Sequence, residues 1–150
     1  MTVEDDVEQL NKKKVLIVEN NALTLSSLQQ AIETAGFDAG TTWSGYEALA
    51  LLKSRPFDVL LVDDYLPDLH SGDFLSRIGP SPTPTRVVVM QSSEPTADQV
   101  RHYRILGASA VVAKHNLAEV CKTVLLLCRN EPVVPVPKNE GFERGSRVAR

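Results

Sequence analysis

Short apolar runs alternate five times with segments of helical spacing, and few folds accept a chain patterned in this way. The runs are Val15–Val18, about Phe37–Thr42, Val59–Val62, Val87–Met90 and Ala110–Ala113. Two of them, VLIV and VVVM, are apolar at every position. A strand with one face in water would alternate, so these are expected to be covered on both faces. Strands of that kind separated by helices read as βα units around a parallel sheet. Leu25, Leu28, Ile32 and Ala35 share a helical face, with Gly36 where that helix would end. Ser44 and Glu47 are spaced as a capping box ahead of Ala48, Leu49 and Leu52. Phe74, Leu75 and Ile78 follow Gly72 as a third helix. Val100, Tyr103, Arg104 and Leu106 form a fourth, closed by Gly107, and Asn116 can cap a last helix from Leu117 to about Arg129. The expectation is a doubly wound α/β domain over residues 14–130.

The chain's 150 residues make one domain. A domain of that size buries roughly 68–70% of its unfolded surface, so it needs no disulfide or metal for stability. Cys121 and Cys128 are seven positions apart in one helical segment. That places them roughly 10 Å apart along the axis, too far to bridge, as expected of reduced thiols. Residues 1–13 read as a flexible, acidic-then-basic segment without the apolar run of a signal peptide. GPSPTPT at Gly79–Thr85 reads as a stiff loop, and residues 131–150 as a Pro-rich, disordered tail. A net charge of −3 speaks against general nucleic-acid binding, and no stretch has the length of a membrane span. A cytoplasmic protein with neither nucleic acid nor membrane as partner is expected.

In an open parallel sheet, ligands bind beyond the carboxyl ends of the strands. Read in order, those ends carry Glu19-Asn20-Asn21, Asp63-Asp64, Gln91-Ser92-Ser93 and Lys114. Carboxylates and neutral oxygens suit a hard cation that keeps several waters, meaning Mg²⁺. A lysine and a hydroxyl can hold phosphoryl oxygens, and an aspartate can attack phosphorus. Strand alternation points Asp64 to the face opposite Asp63. Taken singly, each residue has a simpler reading: Glu19 and Asn20 as helix caps, Ser92 as a turn residue, Lys114 as a surface lysine. His70, His102 and His115 lack ligand spacing. There is no GxGxxG, P-loop lysine or GxSxG, and the loop ENNALT has no glycine to cradle a flavin phosphate.

The segment FDVLLVDDYLPDLHSG, Phe57–Gly72, resembles the receiver stretch of response regulators in the CheY-like superfamily. It has an apolar strand, an acceptor aspartate, a proline four residues later and then a glycine. VLIVENN and GASAVVAK resemble the family's first strand and its lysine-bearing stretch, and the similarity runs over about Lys14–Arg129. The resemblance implies a flavodoxin-like (βα)5 fold, with a five-stranded parallel sheet in the order 2-1-3-4-5. Asp63 would be the phosphoryl acceptor. Glu19, Asn20, Asp63 and the Tyr65 carbonyl would bind Mg²⁺, Lys114 would pair with the phosphoryl group, and Ser92 would be the switch hydroxyl, with Gln91 as its rival. The donor would be a histidine kinase or phosphotransfer protein.

Three positions depart from the family pattern. Asn20 stands where a second acidic residue is usual, Val111 where the aromatic switch residue is usual, and His115 where a proline is common. The loop from Asp63 to Gly72 is one residue longer than the commonest form. Two functions therefore stay open. One is a non-enzymatic phosphoacceptor that switches a surface for a downstream protein partner. The other is a degenerate pseudo-receiver that binds a partner without phosphate. The apolar run Val124–Cys128 exceeds what one helix can bury on its own sheet. It is expected either to support a homodimer through the last helices or to lie deep in the fold.

Overall fold

The computed structural model describes residues 12–78 and 85–129. Five strands, β1 (Lys14–Val18), β2 (Asp38–Thr42), β3 (Val59–Asp63), β4 (Arg86–Gln91) and β5 (Ala110–Ala113), alternate with five helices. These are α1 (Ala22–Thr34), α2 (Gly45–Ser54), α3 (Ser71–Ile78), α4 (Ala97–Ile105) and α5 (Leu117–Cys128). All strand pairs are parallel and the order is β2-β1-β3-β4-β5. This is the flavodoxin-like arrangement that the sequence implied. The expected disordered tail, most of the N-terminal segment and the Pro-rich loop over 79–84 lie outside the described residues.

The apolar runs have no polar alternation because the sheet has a core on each side. Val15, Ile17, Val59, Leu61, Val88 and Met90 meet Leu28 and Ile32 of α1 and Val120, Val124 and Leu127 of α5. Leu16, Val18, Leu60, Val62, Val87 and Val89 meet Ala48 of α2, Phe74 and Leu75 of α3 and, from α4, the half-buried Tyr103. Burying a side chain such as Leu60 or Phe74 stabilises the fold by roughly 1.5–3 kcal/mol. Helices α1 and α4 run out at Gly36 and Gly107, whose φ angles of 102° and 110° favour a residue without Cβ.

The capping box expected at Ser44 and Glu47 forms only by half. The Ser44 hydroxyl accepts from the Glu47 N–H at 3.1 Å. The Glu47 carboxylate, however, takes its proton from the Thr42 hydroxyl, and the Ser44 N–H donates to that same hydroxyl. The buried Thr42 at the end of β2 outcompetes the reciprocal bond. A complete box appears instead at Thr96 and Gln99, opening α4.

Helix α5 uses more of its surface than contact with the sheet alone would allow, because it also lies against α1, where the Cys121 thiol donates to the Ala31 carbonyl at 3.7 Å. Of the run Val124–Cys128, Val124 and Leu127 are buried, Leu126 and Cys128 are half-buried, and Leu125 faces outward at 38% exposure. Both cysteines are free thiols, and burial raises the pKa of each. Helix α4 is the opposite case. None of its residues is fully buried, and Ile105 is 81% exposed.

Candidate functional site

Three strands, β1, β3 and β5, each bring one charged group to the carboxyl rim of the sheet. β1 stops at Val18, and Glu19 follows it, held by its N–H donating to the Thr42 carbonyl. Its side chain is buried. Glu19 Oε2 accepts from the Asn21 N–H at 3.0 Å, while Oε1 accepts from Lys114 Nζ at 3.1 Å. β3 ends at Asp63, which is 5% exposed, and Asp63 Oδ2 accepts from the same ammonium at 3.1 Å. Lys114 follows β5 and is fixed by its own N–H donating to the Gln91 carbonyl at 2.8 Å. Residues 95 and 51 positions apart from Lys114 are thereby joined through one nitrogen.

The electrostatics follow from burial. Burial alone would favour a neutral Lys114. Hydrogen bonds and charge attraction from Asp63 and Glu19 overcome this and raise its pKa above the ordinary value. Charge-assisted bonds to two carboxylates also fix where the ammonium sits. The other oxygen of the acceptor candidate, Asp63 Oδ1, is buried and lacks a hydrogen-bond partner among the described residues. A buried anionic oxygen without a donor is costly, so this atom is poised to take a ligand.

Asp64 behaves differently from what strand alternation implied. Its N–H donates to the Met90 carbonyl at 2.8 Å, so the chain is still paired to β4. The strand itself ends one residue earlier, and the half-buried carboxyl interacts electrostatically with Asp63, Gln91 and Lys114. Burial and the neighbouring Asp63 raise the Asp64 pKa, against the opposing pull of Gln91 and Lys114. β4 runs through Gln91, so Gln91 lies inside the strand and is buried. Ser92, just beyond, is exposed, as is Asn20, and Tyr65 is 72% exposed. Of the residues singled out from sequence, the fold gathers Glu19, Asp63 and Lys114 and leaves Asn20, Ser92 and the Tyr65 side chain at the rim. The helix cap considered for Glu19 and Asn20 belongs to Asn21, which accepts from the Thr24 N–H.

Two aspartates outside the sequence-derived site set have structural roles, Asp58 at the opposite edge of the sheet and Asp68 beside the site. Asp58 accepts from the Lys14 N–H at 2.8 Å and ties the start of β3 to β1. Asp68, in the loop after Asp63, accepts from the Ser44 hydroxyl at 2.9 Å and from the Gly45 and Tyr46 N–H groups at 3.1 and 3.2 Å. Desolvation works against its carboxylate, but these bonds prevail and lower its pKa. The loop presses close enough that a Cβ on Gly45 would meet the Leu69 Cβ at 3.0 Å and Leu66 Cδ1 at 3.2 Å. The only sequence signal for this anchor is an acidic residue in the loop after Asp63, and its position opposite the α2 N-terminus exists only in three dimensions.

Among the described residues, no three His, Cys, Asp or Glu side chains form a ready-made metal cage. Mg²⁺ asks for less, since it keeps several waters and takes one or two carboxylates. The orphaned Asp63 Oδ1, on a carboxylate that shares the Lys114 ammonium with Glu19, fits that need. No helix among the described residues is long and apolar enough to cross a membrane.

Comparison with known proteins agrees with this geometry. The family profile described as the response regulator receiver domain matches residues 15–125. SgaR of Hyphomicrobium methylovorum, named as a transcriptional regulatory protein, is 30% identical over 106 residues, covering 69% of this chain and 50% of that one. The transcriptional regulatory protein CutR of Streptomyces coelicolor is 24% identical over 132 residues, covering 87% of this chain and 61% of its own length. The chain thus spans between half and about three-fifths of these relatives. Among solved structures, the receiver domain of the Francisella response regulator 1452 superposes with a TM-score of 0.70 at 20% identity, covering 79% of this chain and 98% of that one. A CheY-like receiver domain protein from Methanospirillum hungatei JF-1 gives 0.71 at 20%, covering 79% and 95%. Sequence match, strand order and the Glu19–Lys114–Asp63 constellation lead to one statement: the chain belongs to the response regulator receiver domain family of two-component signalling.

Proposed function

We propose that Asp63 accepts a phosphoryl group from a histidine kinase or phosphotransfer protein in the cytoplasm. The observation that carries this reading is the split environment of its carboxylate, with one oxygen held by Lys114 and the other buried and unpartnered. The free oxygen attacks phosphorus while the bond to the donor's imidazole nitrogen breaks; with the other ring nitrogen protonated, a neutral imidazole leaves and an acyl phosphate remains on Asp63. Lys114 pairs with the incoming charge, and Ser92 at the rim is the hydroxyl available to follow it. Mg²⁺, held by Glu19, Asp63, the Asn20 amide oxygen and the Tyr65 carbonyl, would neutralise charge on the phosphoryl oxygens. A cleft of about 270 Å³ beside Lys114, lined by Leu23, Thr24, Ser27, His115 and Leu117, offers the donor a place to dock.

The test is direct. Incubated with Mg²⁺ and acetyl phosphate, the protein should gain one phosphate by intact mass, and Asp63→Ala should gain none. Absence of an adduct, both with acetyl phosphate and with a competent kinase, would remove the proposal.

A second reading is supported by the exposed Asn20 and by Val111 in place of an aromatic switch. In it the chain is a pseudo-receiver whose partner contacts ignore phosphate. A downstream partner, or a second copy, would then use the face around α4, β5 and α5, where Ile105 and Leu125 are exposed. Partner binding that is unchanged in Asp63→Ala would favour this reading, and binding that requires phosphate would end it.

A further inference from the structure

The cation site proposed above has an asymmetry that this chain's own residues can correct. Glu19 and Asp63 are buried and share one ammonium, while the position beside Glu19 carries only the neutral, exposed amide of Asn20. Both carboxylate charges of this group are therefore partly cancelled by Lys114. On the other side of Asp63 stands a third carboxyl. Asp64, half-buried and next in the chain, is tied to β4 by its N–H donating to the Met90 carbonyl at 2.8 Å, and its carboxyl feels the charge of Asp63.

Two buried atoms mark this spot as one built around something further. Asp63 Oδ1 and Gln91 Oε1 both lack partners, and both residues are 5% exposed. Two carboxyl groups crowded together repel unless a proton or a cation sits with them. The chain has an acid next to Asp63 and a buried polar residue, Gln91, at the end of β4. The carboxyls do not close on a single point as a cage would, so Asp64 serves the cation by its field and not as a direct ligand.

We infer that Asp64 is a positioning residue for the divalent cation, supplying beside Asp63 the negative charge that Asn20 does not bring. The inference rests on the cation site of the proposed function, although its test needs no phosphoryl transfer.

Isothermal titration of the full chain with MgCl₂, at fixed neutral pH and ionic strength, tests the assignment. Asp64→Asn should weaken Mg²⁺ binding by about three- to tenfold, as expected for one unit charge a few ångströms from the ion in a partly wet site. Asp64→Glu should retain most of the affinity. Asn20→Asp should tighten binding and, combined with Asp64→Asn, restore it to about the parent value. A merely structural Asp64 would show no such rescue by charge placed at residue 20. Thermal unfolding of each variant separates lost affinity from lost fold, and Asp64→Ser replaces the Asn variant if that one does not fold. Unchanged Mg²⁺ affinity in Asp64→Asn, or no Mg²⁺ binding by the parent chain, overturns the inference. A chain that shows the Mg²⁺ pattern but forms no phosphoryl adduct would strike the acceptor reading alone.

Discussion

The rim of the sheet has two halves that are held in place very differently. At the ends of β1, β3 and β5, the buried Glu19 and Asp63 are joined through the ammonium of the half-buried Lys114, and the loop after Asp63 is bolted to α2 by three bonds to Asp68. At the end of β4, Ser92 is exposed, and the helix that follows, α4, places no residue fully in the core. Receiver domains link such halves through a hydroxyl and an aromatic side chain, and this chain has Val111, half-buried, at the aromatic position. The difference teaches that the proposed acceptor chemistry and the proposed relay are separable. The first is built in by buried charge, while the second is left to a lightly packed helix, the kind of element that opens at low free-energy cost.

Breaking the tight half should have the largest effect. Lys114→Met leaves Glu19 and Asp63 buried without their cation, and the unfolding free energy in urea at neutral pH should fall by about 2 kcal/mol. That is less than the full penalty for a deeply buried pair, because the lysine side chain keeps 16% of its exposure. The pKa of Lys114 is raised in the fold. Its contribution is therefore complete below the ordinary lysine value of about 10.4 and lost only as pH rises through the raised one. The gap between parent and variant should stay constant through neutral pH and close in strong alkali.

A smaller effect is expected at the anchor of the acceptor loop. Asp68→Ala removes bonds to the N-terminus of α2 and should cost about 1 kcal/mol, the usual worth of such a cap. Here the folded pKa is lowered. The contribution is present above the unfolded carboxyl value of about 3.9 and disappears as pH falls through the lower folded value. Urea titrations at neutral pH and near pH 3 should show the deficit shrinking on acidification. A deficit that grows in acid would mean the anchor is not ionic.

The loose half should barely respond. Ser92→Ala and Ile105→Ala should each change stability by no more than about 0.5 kcal/mol, the norm for exposed positions. Native-state hydrogen exchange sharpens the contrast, since α4 amides should exchange through openings that α5 amides do not share. Equal protection of the two helices would erase the distinction.

Much of the fold was legible because its signals are local. An uninterrupted VLIV needs cover on both faces, and a glycine after a periodic segment ends a helix whatever surrounds it. Asp63 was legible for the same reason, as the polar residue that closes an apolar run. Ser44 and Glu47 show where local reading fails, because the spacing of a capping box was present but a buried Thr42 from another element claimed the carboxylate. Asp64 shows it again. Alternation holds only within a strand, and β3 ends at Asp63, which frees the next side chain to turn back toward it.

The sequence by itself determined the βα order, the two-sided burial of the strands and the acid at the end of β3, because periodicity and strand-end chemistry are properties of neighbouring residues. Only the tertiary structure decided which charges meet. Lys114 reaches Glu19 and Asp63 across 95 and 51 residues of chain, Asp68 finds α2, and Gln91 turns inward while Ser92 turns out. Those pairings depend on strand register and crossover, which bring distant residues within a few ångströms and which no spacing along the chain encodes.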